Sequence, residues 1–302
     1  MEKELKLKGL VFYITTDVNQ LPSYGENVVA IVLDDEWSRI PRYFDKVKAI
    51  FKCYGVSPML GCNLLFNPSY LNLLTTLRFI KICIIGLPGL LKYRFSRFRS
   101  AVTKAKSGPI YDIPLGYYKQ IELPIRDISK RIYDISFDGS LVNHTYSIRS
   151  FKYWLQDPKI ISRKKMLESV QKLMITNPSL NIKLTITNGF HTTNNTDSKR
   201  YSEDMMNTKI CLIPRGATFE TYRFFEALRY GCIVVTEALP SRWFYDGSPV
   251  IHIKQWGELG RLLEKIEDET FLQEMHQKSV DWWDEKCSES AVGKFIASKL
   301  NP

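Results

Sequence analysis

The sequence predicts an α/β protein made of two consecutive parallel-sheet halves that face a central cleft. Three observations carry that prediction. Short apolar, β-branched runs alternate with stretches of helical spacing, as in strand–helix–strand units. The pattern starts twice, once near Leu10 and again at Arg131. The 302 residues suffice for two domains of roughly 100–150 residues each.

In the first half, residues 10–14 and 28–33 read as strands, separated by a loop containing Pro22, Ser23 and Gly25. Residues 41–54 have helical spacing, with Phe44, Val47, Ile50 and Phe51 on one side. The longest apolar stretch, 70–91, is interrupted by Arg78 and Lys81 and broken at Gly86-Leu87-Pro88-Gly89. It therefore falls short of the ~20 uninterrupted residues of a spanning helix. Lys92, Arg94, Arg97, Arg99, Lys104 and Lys106 follow, interleaved with Tyr93, Phe95 and Phe98. An apolar segment beside a basic-aromatic one suits an anionic membrane surface. A core helix followed by a solvated basic face accounts for the same letters. Residues 110–117 close a first domain of residues 1–118.

The second domain, 119–280, opens with a strand running into the turn Gly139-Ser140. Residues 160–176 form a basic helix, 180–187 alternate as a strand, and 191–200 read as a polar loop. Residues 208–236 are the most informative. A strand at 209–213 is broken by Pro214-Arg215-Gly216, and Thr218 or Thr221 can cap the helix that follows. Gly231 suits the helix stop, ahead of a buried strand at 232–235. Another strand is expected at 250–253, with helices at 258–266 and 269–275. A terminal helical segment, 281–302, is expected to pack back on the first domain.

The formal net charge of +10 requires an anionic partner or a purely solubilising basic surface. No helix-turn-helix, RNP or KH pattern accompanies the charge, so nucleic acid is not the expected partner. Cysteines at 53, 62, 83, 211, 232 and 287 form no C-x-x-C pair. They read as small buried hydrophobes in a reducing compartment, not as a disulfide frame or zinc site. The N-terminus passes from charged residues straight into a strand without the apolar core of a signal peptide, so a cytoplasmic location is expected, peripheral to the inner membrane face if 70–106 meets lipid.

A helix N-terminus beyond a strand's carboxyl end suits phosphate oxygens. Gly216 permits close backbone approach, Arg215 and Arg223 can neutralise charge bidentately, and a carboxylate can grip the two hydroxyls of a ribose. Ordinary surface pairs at i,i+3 explain the same spacing. The residues go further. Pro214-Arg215-Gly216, E-T-x-R-x-x-E-A-L at 220–228 and G-C-I-V-V at 231–235 resemble the exostosin-like glycosyltransferases and, more loosely, the C-terminal domain of GT-B glycosyltransferases. The resemblance covers roughly residues 205–260, with weaker echoes at 33–36, 41–44, 113–117 and 137–140.

That resemblance implies two Rossmann-like domains of GT-B type. It also implies sugar transfer from a nucleotide-sugar donor to a glycan or glycolipid acceptor in surface polysaccharide synthesis. By the same resemblance Glu226 binds the donor ribose, and Arg215 and Arg223 face its phosphates. Position 218, where many retaining relatives carry a carboxylate, is Thr, so inversion is expected. Gly139, Ser140, Arg163 (with Lys165 as an alternative), Gly216, Glu220 and Thr221 complete the expected donor site.

The base should come from the first domain, at the carboxyl end of the strand at 28–33. Glu36 is the first candidate, Asp35 the second and Asp17 the third; each could instead cap a helix or pair with Arg39 or Arg42. A metal-binding reading of Asp34-Asp35-Glu36 fails because too little chain precedes it, and arginines supply the countercharge, so no obligatory metal or cofactor is expected. The four histidines show no ligand spacing; His191 and Trp256 could touch ligand, though packing or chance explains each. Two other classes compete: an inactive glycosyltransferase-like scaffold and a basic nucleic-acid-binding protein.

Overall fold

The computed structural model describes residues 8–103, 108–118, 120–141, 149, 157–187 and 195–301. The first lobe is a four-stranded parallel sheet in the order β1-β2-β3-β4: β1 Val11–Thr15, β2 Gly25–Val32, β3 Val47–Lys52 and β4 Ile110–Asp112. The second lobe is a five-stranded parallel sheet in the order β6-β5-β7-β8-β9. Its strands are β5 Tyr133–Ser140, β6 Ile182–Thr187, β7 Thr208–Ile213, β8 Ile233–Thr236 and β9 Val250–His252. Counted from the lobe's own first strand this is the doubly wound order 2-1-3-4-5, whose direction reverses between β5 and β7. Ligands of such sheets bind at that switch point, outside the strands' carboxyl ends.

The central strands β7 and β8 are buried on both faces, and side chains alternate between two cores with period two. In β7, Ile210 and Leu212 join a core of the second lobe with Phe137, Met166, Val170 and Trp256. Cys211 and Ile213 point the other way, into a core that both lobes share: Phe51, Tyr54, Ile113 and Leu115 pack there with Phe224, Phe225, Leu228 and Trp282. The lobes are therefore welded through apolar contact and not merely linked. Helix α1 spans Tyr70–Thr103, α2 Pro158–Thr176, α3 Asn195–Met206 and α4 Tyr222–Arg229. Helices α5 Leu263–Glu267, α6 Glu269–Trp282 and α7 Glu289–Leu300 finish the chain. On α7, Phe295 stacks on Trp243 at 4.4 Å between centroids and meets Phe51 and Tyr111 of the first lobe edge-on.

Three expectations need correction. The segment 41–54 holds a turn and then β3, because Val47, Ala49, Ile50 and Phe51 are buried from both sides and a two-sided strand shows no alternation to read. The apolar segment is not broken at Gly86–Gly89: α1 runs unbroken through Pro88 for 34 residues. A helix of that length and composition is apolar enough to cross a membrane. Its packing explains the continuity. Leu71, Leu74 and Ile82 are buried before the proline, Leu90 and Tyr93 pack after it, and a Cβ on Gly89 would stand 3.3 Å from Ile40. Glycine there lets the helix lie close to the lobe. Finally, residues 195–200 of the expected loop belong to α3; 191–194, like His144, Lys104 and Lys106, lie outside the described residues.

Candidate functional site

The switch point is occupied by cations. β5 ends in Phe137, Gly139 and Ser140, and the guanidinium groups of Arg163 and Arg223 stand 6.0 and 5.5 Å from the Phe137 ring. Arg163 comes from the second turn of α2, whose start is fixed by Asp157 as N-cap and Pro158 at the first helical position. It is buried and gives one N–H to the Ser140 carbonyl. Arg223 comes from the first turn of α4 and rests against Gly139. Lys159, one turn before Arg163, completes the group.

These cations are poorly compensated. Burial, and then the charge of Arg223, push Arg163 down to about 9. Lys159 is lowered by burial and by Arg163, with Asp157 partly opposing. Among the described residues, Nε of Arg163, Nε of Arg223 and the Thr221 hydroxyl are buried without a hydrogen-bond partner. Thr221 stands at the N-cap of α4, yet its side chain makes no capping bond. Unpaired donors and crowded positive charge at a helix N-terminus form a site for an anion with several oxygens.

The other expected donor residues are placed differently. Arg215 is buried and bound bidentately to Glu237, through Nε at 2.8 Å and Nη2 at 2.9 Å. Its Nη1 reaches Thr75 of α1 at 2.8 Å, and its guanidinium lies 4.2 Å from the Phe219 ring centroid. Arg215 thus braces the loop after β7 against the first lobe. Gly216 leaves room for Thr221: an added Cβ would approach its methyl to 3.1 Å. Glu220 pairs with Arg242 at 2.9 Å, and Arg242 also reaches Asp112 at 2.7 Å and the Tyr54 carbonyl at 2.6 Å. Glu226 accepts from the Tyr118 N–H at 3.0 Å and the Tyr201 hydroxyl at 2.5 Å. It is Tyr201 that reaches a small pocket, together with Asp138, Thr185 and Arg223. Lys165 is exposed on the outer face of α2.

Across the cleft, the turn 34–38 follows β2 with Asp34 and Ser38 in the left-handed region, at φ 64° and 51°. Lys52 holds it. This wholly buried side chain contacts the Asp35 carboxylate at 3.0 Å and donates to the carbonyls of Cys53 and Gly55 at 3.2 and 2.8 Å. Arg39 adds a second contact to Asp35 at 2.9 Å. Burial alone would raise the Asp35 pKa, but Lys52 and Arg39 hold it below the ordinary carboxylate value. Asp35 is therefore a pinned anion. Glu36 is not: burial raises its pKa, with Arg78 opposing and Asp34 assisting. It lines an open cleft of about 540 Å³ with Thr75, Arg78, Arg215 and Thr218. Asp17 accepts from the Asn19 N–H at 2.7 Å and shapes the turn after β1.

Lys52, Lys159, Glu237 and Arg242 were not singled out from the sequence. Lys159 had a readable signal in Asp157-Pro158, which starts α2 two residues before the expected boundary. Trp256 is packed in the core and donates to Ser162 at 3.0 Å, which reaches Glu237 at 2.9 Å. His276 is tied to the Gly231 carbonyl, and no metal-holding cluster of His, Cys, Asp or Glu occurs among the described residues.

Residues 158–297, which hold α2, the Arg215 loop and α4, match the family model described as the RXYLT1 C-terminal domain. Among solved structures, the chain is similar to a GtfA/B complex at 10% identity and TM-score 0.45, covering 91% of this chain and 58% of that one. It is similar to the glycosylation-associated Gap123 complex from Streptococcus agalactiae at 10% identity and TM-score 0.40, covering 91% and 55%. An α-glucosyltransferase solved with UDP and a 13-mer DNA is matched at 10% identity and TM-score 0.41, covering 91% and 72%. The chain spans a little over half the length of the first two. Among curated proteins nothing matches.

Proposed function

We propose that the protein is a nucleotide-sugar-dependent glycosyltransferase, inverting and without an obligatory metal, that transfers a sugar to a glycan or glycolipid acceptor in surface polysaccharide synthesis. One observation carries the reading: Lys159, Arg163 and Arg223 crowd together at the switch point of the second sheet, with buried donors left unpaired. A donor diphosphate supplies the missing acceptors. Gly139 lies against Arg223 and Ser140 against Arg163, and the unpaired Thr221 hydroxyl stands at the N-terminus of the helix that carries Arg223. The smaller pocket beside Arg223 takes the nucleoside, and Glu226 acts on the ribose together with Tyr201.

In this mechanism Glu36 removes the proton of the acceptor hydroxyl, whose oxygen bonds to the anomeric carbon as the bond from that carbon to the diphosphate breaks. The leaving negative charge is taken up by the three cations, which are already in place before the reaction. A raised carboxyl pKa brings Glu36 closer to neutral pH, where a general base works best. Arg215, Glu220 and Asp35 serve by holding the two walls of the cleft. The experiment is thermal unfolding with a panel of UDP-, GDP- and CMP-sugars. At least one should raise the melting temperature of the wild type and fail to do so for Arg223→Ala. No protection by any of them would refute the reading.

A further inference from the structure

We infer that helix α1 is an interfacial anchor that lies along an anionic lipid bilayer, independently of which donor the cleft accepts. Leu73, Leu77, Ile80, Ile84, Leu87, Leu91, Phe95, Phe98 and Val102 are all exposed. Their spacings are 4, 3, 4, 3, 4, 4, 3 and 4 residues. At about 100° per residue these nine fall within roughly 40° of one line along the helix. The opposite side carries Leu71 and Ile82, with Leu74 at its edge, all three buried on the protein. The helix therefore shows a bare apolar stripe over its whole length and, from Leu71 to Tyr93, a face covered by the protein. The turn before it adds Leu65 and Phe66, 90% and 89% exposed.

Three occupants could cover such a stripe: a second copy, a bilayer crossed by the helix, or a bilayer on which it lies. Charge excludes the first. The helix holds six cations, Arg78, Lys81, Lys92, Arg94, Arg97 and Arg99, and no carboxylate. On the wheel Arg94 flanks the stripe on one side, and Lys81, Lys92 and Arg99 flank it on the other. Two copies paired along this seam would oppose these rows, like charge to like. Packing excludes the second. The inner face is held by the first lobe, and Arg78 is bonded to Asp157 of the second lobe at 2.8 Å. A stripe rimmed by cations on a helix fixed to a folded body matches a lipid surface with anionic headgroups.

The test is sedimentation of the full chain with vesicles of phosphatidylcholine alone and of phosphatidylcholine mixed with phosphatidylglycerol. Binding is expected to the mixed vesicles only, weakening as salt rises. Arg94→Glu with Arg99→Glu should weaken it roughly tenfold or more, and Ile84→Ser with Phe95→Ser should do likewise. All four positions are exposed, so the melting temperature checks that each variant is folded. Absence of binding to either vesicle, or equal binding to both, would overturn the inference. So would a dimer in lipid-free solution that Ile84→Ser with Phe95→Ser dissolves.

Discussion

Arg223 packs its guanidinium onto Gly139, so near that a Cβ at residue 139 would stand 2.8 Å from one terminal nitrogen and 3.0 Å from the other. The strand end and the helix start are thus fitted to each other, and the fit keeps a cation at the switch point of the second sheet. Gly139→Ala should displace Arg223 while leaving the fold intact. Losing one charge-assisted contact corresponds to about 1.5–3 kcal/mol, so nucleotide diphosphate affinity should drop roughly tenfold to a hundredfold. Calorimetric titration reads this directly; unchanged affinity would remove Arg223 from the site.

Glu36→Gln separates binding from chemistry. The variant should keep thermal protection by the donor and lose roughly a hundredfold to ten-thousandfold in kcat. The wild-type rate requires the carboxylate form. Because burial raises the Glu36 pKa, activity should fall with decreasing pH at values above the ordinary carboxyl range. A pH–rate profile without that limb would exclude Glu36 as base.

Asp35 and Lys52 act in stability. Lys52→Met removes the buried partner of Asp35, leaving only the partly exposed Arg39, and should cost about 3–5 kcal/mol, while pairing it with Asp35→Leu should recover much of the loss. The Asp35 pKa is lowered on folding, so its contribution is complete above the unfolded carboxyl's value, about 3.9, and disappears as pH falls through the folded value. Urea unfolding should show the deficit of Asp35→Asn at neutral pH and see it shrink in acid. A deficit independent of pH would contradict the ion-pair account.

Arg242 ties three carbonyl and carboxylate groups of both lobes together. Arg242→Ala leaves Glu220 buried without a counter-charge and should destabilise the protein by about 3–5 kcal/mol. Adding Glu220→Gln should restore part of that, because the stranded charge is gone. If the double variant is no more stable than the single one, the buried charge is not the cause.

The second lobe was readable because its signals are local. The break at Pro214-Arg215-Gly216, the α4 helix and the stop at Gly231, with φ of 69° and a Cβ position only 2.5 Å from His276, follow one another within a single strand–helix–strand unit. Partners distant in the chain were not readable. Nothing near Arg215 announces Glu237 or Thr75, and nothing near Glu220 announces Arg242. The side chains that attract attention as site residues were thus partly consumed in joining the lobes. Lys52 left a trace, a cation closing the apolar run Ala49-Ile50-Phe51, but only the turn it latches gives that trace a meaning.

The most direct measurement is the difference density of a crystal soaked in UDP, GDP or CMP. The account predicts phosphate density among Lys159, Arg163 and Arg223, within hydrogen-bond reach of the Thr221 hydroxyl, with the nucleoside beside Tyr201. A nucleotide bound elsewhere, or those three cations found paired with protein carboxylates in the soaked crystal, would contradict it.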